Sequence, residues 1–506
     1  MSEKPTVTKQ DIIDGLKKLG LKAGDNVIVH SALTSFGRVE GGAETLIDAL
    51  LELLTDKGTL LMPCFGSQPL DIKNTPTNLG TVPETFRKRP GVLRSRHPLS
   101  SVAAYGKRAK YYIENHEKNE CPYTEGSPYV KLADDDGYIL LLGVDQDRNT
   151  TLHSVEALAK APYMTPKTGK WIDENGKIQE KEYKYCAGPH RNFIGIDPLL
   201  RKKGICKTGR IGNCFVRLMK SKDVLDLLVP KVRENPFLFL SDSEDYWAGV
   251  WQKGLVRKVA LEEYRVNLIV QTSAFADNIE DTFWFATLAG TNKLEIDTVN
   301  GKDIALFSDT ELDILKQMIS ERNFSVELIR CTLTHAGAFE KYINAAQKLN
   351  ARSLVLPLAG TIEQITEKAN LASQADLNIL VENLALSSPE VSEYLEKLDK
   401  SILLAFNPAE FAKIGELPFL KSFRTRTIKK RIGYVLLSDI NRNNQPKLPG
   451  KGKAELNEII SILLASSFDD PIVITRSFNT NDTPRQLIDA IWNIFTIAGI
   501  DIKTKN

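Results

Sequence analysis

Residues Ser353 to Leu386 read SLVLPLAGTIEQITEKANLASQADLNILVENLAL. A short apolar run, Ser353 to Leu358, gives way to a stretch of helical period, Ile362 to Ala372, and then to a second apolar run, Asn378 to Leu386. Strands joined by a helix pair in parallel through a right-handed crossover. The same grammar continues on both sides. Further strands are predicted at Asn267 to Thr272, Lys293 to Val299, Ser325 to Leu333, Ser401 to Phe406, Arg431 to Ser438 and Pro471 to Thr475. Between them lie amphipathic stretches at Thr310 to Arg322, Ala338 to Leu349, Val391 to Leu398, Lys453 to Ala465 and Pro484 to Ile497. Eight strands in about 240 residues fit a closed (β/α)8 TIM barrel. A doubly wound open sheet is the competing architecture.

The whole chain, 506 residues with 42% apolar, exceeds what one core accommodates and should divide into two or three domains. A boundary is expected near Ser241 to Leu261, where Ser-Asp-Ser-Glu-Asp precedes a Trp-rich helix, giving domains 1–255 and 256–506. The 66 basic and 64 acidic residues are interspersed, so the net charge of +2 makes no general case for nucleic acid or an anionic membrane as partner. Six cysteines without a CxxC pair argue against a zinc knuckle or a disulfide framework. No apolar run approaches the roughly 20 residues of a membrane helix, and no signal segment opens the chain. The expectation is a soluble, cytoplasmic protein.

The first half is also α/β. A helix is predicted at Lys9 to Leu19 behind a Thr8 cap, then a strand at Asn26 to His30, a helix at Gly42 to Leu54, and strands at Gly58 to Met62 and Gly137 to Leu142. Long irregular segments are expected at Pro63 to Arg89 and Pro162 to Arg191, and loops of that length usually carry function.

Four segments of this half draw chemical interest. Asn149 to Glu156 reads NTTLHSVE and places His153 and Glu156 at helical i, i+3 spacing, so the carboxylate can orient the imidazole of a general base. His30 to Gly42 runs from a strand end through a small, hydroxyl-rich loop into a helix, a turn whose backbone N–H groups suit a phosphate. Val82 to Pro98 gathers five cations round His97, and Tyr185 to Phe193 holds His190. Each has a plain structural reading as well: a surface pair, a strand-to-helix connection, a solvated face, an exposed histidine. Five of the six histidines precede residue 200, which moves the expected chemistry into the first half.

Together, HSALTSFGRVEGGAETLIDALLELL (His30 to Leu54), GTLLMPCF (Gly58 to Phe65), PETFRKRPGVLRSRHPLSSVAAYG (Pro83 to Gly106), SPYVKLADDDGYILLLGV (Ser127 to Val144) and NTTLHSVE resemble, in order and spacing, the aminoglycoside 3-N-acetyltransferase family over about residues 8–240. The resemblance implies that family's own α/β fold and acetyl transfer from acetyl-CoA to a small-molecule amine, an aminoglycoside or amino sugar. It implies that Ser31, Ala32, Leu33, Ser35, Phe36, Gly37 and Val39 line the coenzyme A site, with Ala32 standing where many members have serine. It further implies that His97 shapes the cleft where acetyl group and acceptor meet. His153 would be the general base, and Glu156 its orienting carboxylate or a neighbour in the acceptor pocket. No metal is required by this chemistry. Carboxylates near the motif are few, Asp145, Asp147 and Glu156, so a cell-surface amino sugar or another small amine is a realistic acceptor beside an antibiotic.

The barrel half is similar, more faintly, to xylose-isomerase-like sugar-phosphate isomerases and epimerases, through LVEN (Leu380 to Asn383), YVLLSD (Tyr434 to Asp439) and LPGKG (Leu448 to Gly452). That family holds a divalent metal with Glu, Asp, His and Glu at strand ends. Here only Glu382 matches; Asn407, Leu436 and Thr475 or Arg476 replace the rest, and one charged ligand is too few for a hard cation. A metal-free barrel that binds a sugar-like ligand or scaffolds the transferase is expected. The alternatives are an isomerase barrel as the active half and a non-catalytic scaffold. A homo-oligomer stays open.

Overall fold

The apolar triplet Val27-Ile28-Val29 lies at the centre of a seven-stranded sheet in the computed structural model, which describes residues 6–503 apart from 187–190, 242–246, 276, 334–336, 467 and 480. Its strands are β1 (Asn26–Ser31), β2 (Thr59–Pro63), β3 (Leu93–Arg94), β4 (Val102–Gly106), β5 (Tyr138–Leu142), β8 (Lys207–Ile211) and β9 (Cys214–Lys220), in the order β8-β9-β5-β1-β2-β4-β3. The central three, β5, β1 and β2, are parallel; the strands flanking them run antiparallel. Alternation along these strands divides the core between two faces. Val27, Val29, Leu140 and Leu142 pack with Ile12, Leu16, Leu46 and Leu50 of the helices Lys9–Leu19 and Gly42–Leu54, while Ile28, Ile139 and Leu141 pack with Leu152, Val155 and Leu228 on the other side. Parallel strands buried on both faces read as unbroken apolar runs, which is why these were visible in the sequence.

The expected irregular segment Pro162 to Arg191 is instead largely a β-hairpin, β6 (Thr165–Ile172) paired antiparallel with β7 (Ile178–Tyr185). Its strands are mostly exposed and rich in Lys and Glu, so no apolar alternation announces them. The turn does: Gly176 takes φ +77° after Asn175, and Asp173 Oδ1 accepts from Lys177 N at 2.9 Å. The other segment, Pro63 to Arg89, ends in a helix, Thr81–Lys88.

The second half forms a closed parallel barrel of eight strands: β10 (Leu268–Gln271), β11 (Lys293–Ile296), β12 (Ser325–Arg330), β13 (Ser353–Pro357), β14 (Asn378–Glu382), β15 (Leu403–Phe406), β16 (Ile432–Leu436) and β17 (Ile472–Ile474). Pairing of Leu268 with Ile472 closes the ring and rules out the open sheet. Each strand is shorter than its apolar run, because the flanking residues turn out of the ladder; Lys293 to Val299 breaks after Ile296 into a small separate ribbon. Two compact units result, Met1–Gly249 together with Lys503–Asn506, and Val250–Ile502. Among the described residues no helix is long and apolar enough to cross a membrane.

Candidate active site

A cleft of about 440 Å³ opens in the first unit at the carboxyl ends of β1, β2 and β5. His30, Ser31 and Ala32 reach it from β1, Pro63 and Phe65 from β2, and Val144, Asp147, Arg148, Asn149, Thr150 and His153 from the segment after β5. Strand ends in an α/β sheet are where the chain leaves its ladder and exposes backbone and side chains to a ligand. Tyr123 and Tyr185 form an aromatic wall.

The turn from β5 into the cleft depends on Gly143. Its φ is +67°, and a Cβ there would lie 1.7 Å from Ser35 Oγ, so a side chain is excluded by conformation and by space. Ser35 is fixed in turn by donating to Ala32 O at 2.7 Å. Beyond Gly143, Arg217 of β9 clasps the loop: Nη1 donates to Val144 O and Nη2 meets Asp145 Oδ2, both at 3.0 Å, while Nε meets buried Asp197 at 3.0 Å. Gln146 donates to the same Asp197 carboxylate and accepts from Asn149 at 2.9 Å. Asn149 Oδ1 then accepts from Thr151 N, which sets the start of the helix Leu152–Leu158.

On that helix His153 Nδ1 lies 2.7 Å from Glu156 Oε2. The ring stacks on Tyr123, centroids 5.0 Å apart, and meets the edge of Phe193 at 5.1 Å, so its plane is fixed on both faces. Glu156 is fully buried, and its second oxygen is taken by Nε of Arg191. Burial alone drives the Glu156 carboxyl upward, but the Arg191 and His153 charges outweigh it and hold it down at about 2. An ionised carboxylate on Nδ1 fixes the neutral tautomer as Nδ1–H and leaves Nε2 as a basic lone pair. Arg191 is buried too, with its guanidinium carbon 5.0 Å from the centre of the Tyr163 ring. The backbone of Arg191 and Asn192 bonds to Leu240 and Phe239, so the arm carrying the cation is itself anchored.

The anticipated coenzyme A residues separate into two groups. Ser31 and Ala32 line the cleft; Leu33, Ser35, Phe36, Gly37 and Val39 lie behind it, in and after the short turn Leu33–Phe36, with Phe36 in the core. His97 departs from its expected place. It is fully buried, its ring 4.4 Å from that of Tyr183 and 4.6 Å from that of His116, and its Nδ1 accepts from Leu99 N at 3.2 Å. Burial pushes it well below the ordinary imidazole range; its ring packs on Tyr183 of the hairpin, and it is not among the residues lining the cleft. His116 is a satisfied core histidine between Ser95 Oγ and Pro122 O. His190 and His335 lie outside the described residues.

Sequence reasoning overlooked Arg191, Tyr123 and Tyr185. Arg191 stood in a segment singled out for its histidine, but its partner is 35 positions away, beyond any local spacing rule. His30 was seen only as a strand end; it is buried in the cleft wall with Nε2 lacking a hydrogen-bond partner among the described residues, and burial lowers it to about 3.

His153, Glu156 and Cys186 bring possible metal-ligand atoms within 4.8 Å of one another. The set suits a cation poorly. Burial pushes the Cys186 thiol well above its ordinary value, and Arg191 already balances the Glu156 charge.

In the barrel, Glu382 is not open either. Arg330 bridges Glu295 and Glu382, with Nε 2.5 Å from Glu295 Oε1, and Nη2 donates to Tyr434 Oη at 2.9 Å. Asn407 Nδ2 donates to the other Glu382 oxygen at 2.6 Å. The guanidinium thus lies between the two carboxylates.

The family described as aminoglycoside 3-N-acetyltransferase matches residues 28–232 by its sequence profile. Aminoglycoside N(3)-acetyltransferase IV of Salmonella sp. is 34% identical over 241 residues, covering 47% of this chain and 91% of that protein. The chain belongs to the aminoglycoside 3-N-acetyltransferase family. A prophage-derived aminoglycoside N(3')-acetyltransferase-like protein, YokD of Bacillus subtilis, is 35% identical over 247 residues, 43% of this chain and 90% of its own length. Among solved structures, the apoenzyme of aminoglycoside acetyltransferase AAC(3)-IVa is 32% identical and covers 48% of this chain and 95% of its own, with a TM-score of 0.44. The first unit is thus an acetyltransferase, and the cleft with His153 lies inside the matched residues.

Proposed function

We propose that the first unit moves an acetyl group from acetyl-CoA to an amine of an aminoglycoside or related amino sugar, with His153 as general base. The relatives named as aminoglycoside N(3)-acetyltransferases support the reaction class, and the buried chain Arg191–Glu156–His153 ending in the cleft carries the assignment of the base. An amine is largely protonated near neutral pH and gives that proton to solvent before it can attack; the neutral nitrogen then sheds a further proton as it bonds to the thioester carbon, which needs a group that accepts it. His153 Nε2 takes that proton as the nitrogen bonds to the acetyl carbon; Glu156 holds the imidazolium that forms, and Arg191 keeps Glu156 ionised. Collapse of the tetrahedral intermediate breaks the C–S bond, and the departing thiolate of coenzyme A leaves with a proton returned by His153. Backbone N–H groups near the first motif would receive the oxyanion, that of Ala32 being already committed to Leu142 O.

The barrel we read as a sugar-binding or scaffolding unit. Arg330 contacts both Glu295 and Glu382, which supports reading the barrel without a catalytic cation at these carboxylates. The experiment is release of free thiol from acetyl-CoA by the full chain with a panel of aminoglycosides and amino sugars. Turnover that disappears in His153→Ala is expected; an equally fast variant would remove the proposed base.

A further inference from the structure

The charges around the cleft favour one class of acceptor. Among the described residues its ionisable lining is His30, Asp147, Arg148 and His153. His30 is kept neutral by burial. Asp147 is already paired, its Oδ2 3.2 Å from Arg148 Nε. Glu156 adds nothing for a ligand, being fully buried with both oxygens committed to His153 and Arg191. Outside the lining itself, Lys167 Nζ sits 4.4 Å from the ring centre of Tyr185, a lining residue. Asp147 and Arg148 cancel each other, which leaves Lys167, beside Tyr185, as the uncompensated charge among these groups. Everything else that lines the cleft is neutral, and much of it is aromatic or amide, as in Tyr123, Tyr185, Asn78 and Asn149.

A polycationic aminoglycoside entering this cleft would give up hydration at several ammonium groups without meeting an unpaired carboxylate among the described lining residues, and would approach the lysine beside Tyr185. A hydroxylated ring with one amine meets no such penalty: its C–H face can lie on tyrosine and its hydroxyls on the amides. We propose that the natural acceptor is a sugar carrying a single amine, its other substituents neutral or anionic. This rests on the acetyl-transfer reading above and narrows it.

The test compares kcat/KM for thiol release by the full chain at low ionic strength, using glucosamine and an amino-uronic acid against kanamycin and neomycin. Single-amine sugars should be favoured by about tenfold or more, the scale of charge steering at a cleft. Faster turnover of kanamycin or neomycin would overturn this proposal while leaving acetyl transfer standing; thiol release with none of them would overturn both. A second arm uses the double variant Arg148→Glu/Lys167→Glu, both positions being exposed. The preference should move towards the polycations by about tenfold. An unchanged ratio would show that these charges do not select the acceptor.

Discussion

His153 and Arg191 never touch, yet they share one carboxylate: Glu156 gives Oε2 to the imidazole at 2.7 Å and Oε1 to the guanidinium. The buried acid is thereby held ionised between a fixed cation and a titratable base. If His153 accepts the proton of the acceptor amine, His153→Ala should lower kcat for thiol release by about 10²- to 10⁴-fold, the range of general-base catalysis. KM for acetyl-CoA should change little, since the coenzyme is expected at the Ser31 and Ala32 side of the cleft. Steady-state kinetics with both substrates varied would separate the two effects.

Glu156 links this site to acid stability. Its carboxyl sits at about 2 in the folded protein against an ordinary 4.5, so it favours folding above about pH 4.5, and that contribution is lost as pH falls towards about 2. Glu156→Gln lacks the charge and should lose this component of pH dependence. Urea unfolding at pH 7 and pH 3 gives the readout: the gap in stability between parent and variant should be wide at pH 7 and narrow at pH 3.

Arg191 is the other half of that account. Replacing it with methionine keeps the side chain's bulk but strands the charge of the fully buried Glu156, and breaking a buried pair in this way costs about 3–5 kcal/mol. Arg191→Lys should recover part of the loss, because it returns the charge without the planar fork. The double variant Arg191→Met/Glu156→Gln should be less destabilised than the two single losses added together, since both remove the same pair. Additive losses would show that the two side chains act independently.

These side chains mark the limit of what the sequence revealed. The barrel was legible because each of its parallel strands is buried on both faces and so reads as an apolar run between amphipathic helices, as in Ser353–Pro357 and Asn378–Glu382. The His153–Glu156 pair was legible because a helix converts a spacing of three into contact. Arg191 was not: its contact with Glu156 forms only after the β6–β7 hairpin has brought the chain back beside the helix Leu152–Leu158. The hairpin itself was hidden because both its faces are largely wet. The placement of His97 was misleading for the opposite reason. A histidine among cations suggests a polar cleft, but the arginines of that segment turn elsewhere, Arg94 to the carbonyls of Cys64 and Thr75 and Arg89 to Glu44 and Asp48, leaving His97 in the interior.

The barrel offers a prediction independent of acetyl transfer. Arg330 lies against two carboxylates inside the ring, Glu295, which is fully buried, and Glu382, and is also joined to Tyr434. The burial of Glu295 raises its carboxyl. Arg330→Met should therefore destabilise the barrel by about 3–5 kcal/mol, the cost of leaving buried carboxylates uncompensated. Adding Glu382→Gln and Glu295→Gln to Arg330→Met removes the stranded charges and should restore much of the loss, because a neutral hydrogen-bonded set of similar volume costs far less to bury. Urea unfolding followed by hydrogen exchange at β11, β12 and β14 reads the effect within the barrel. A triple variant no more stable than Arg330→Met would mean that the arginine matters for its packing on Tyr434 and not for its charge.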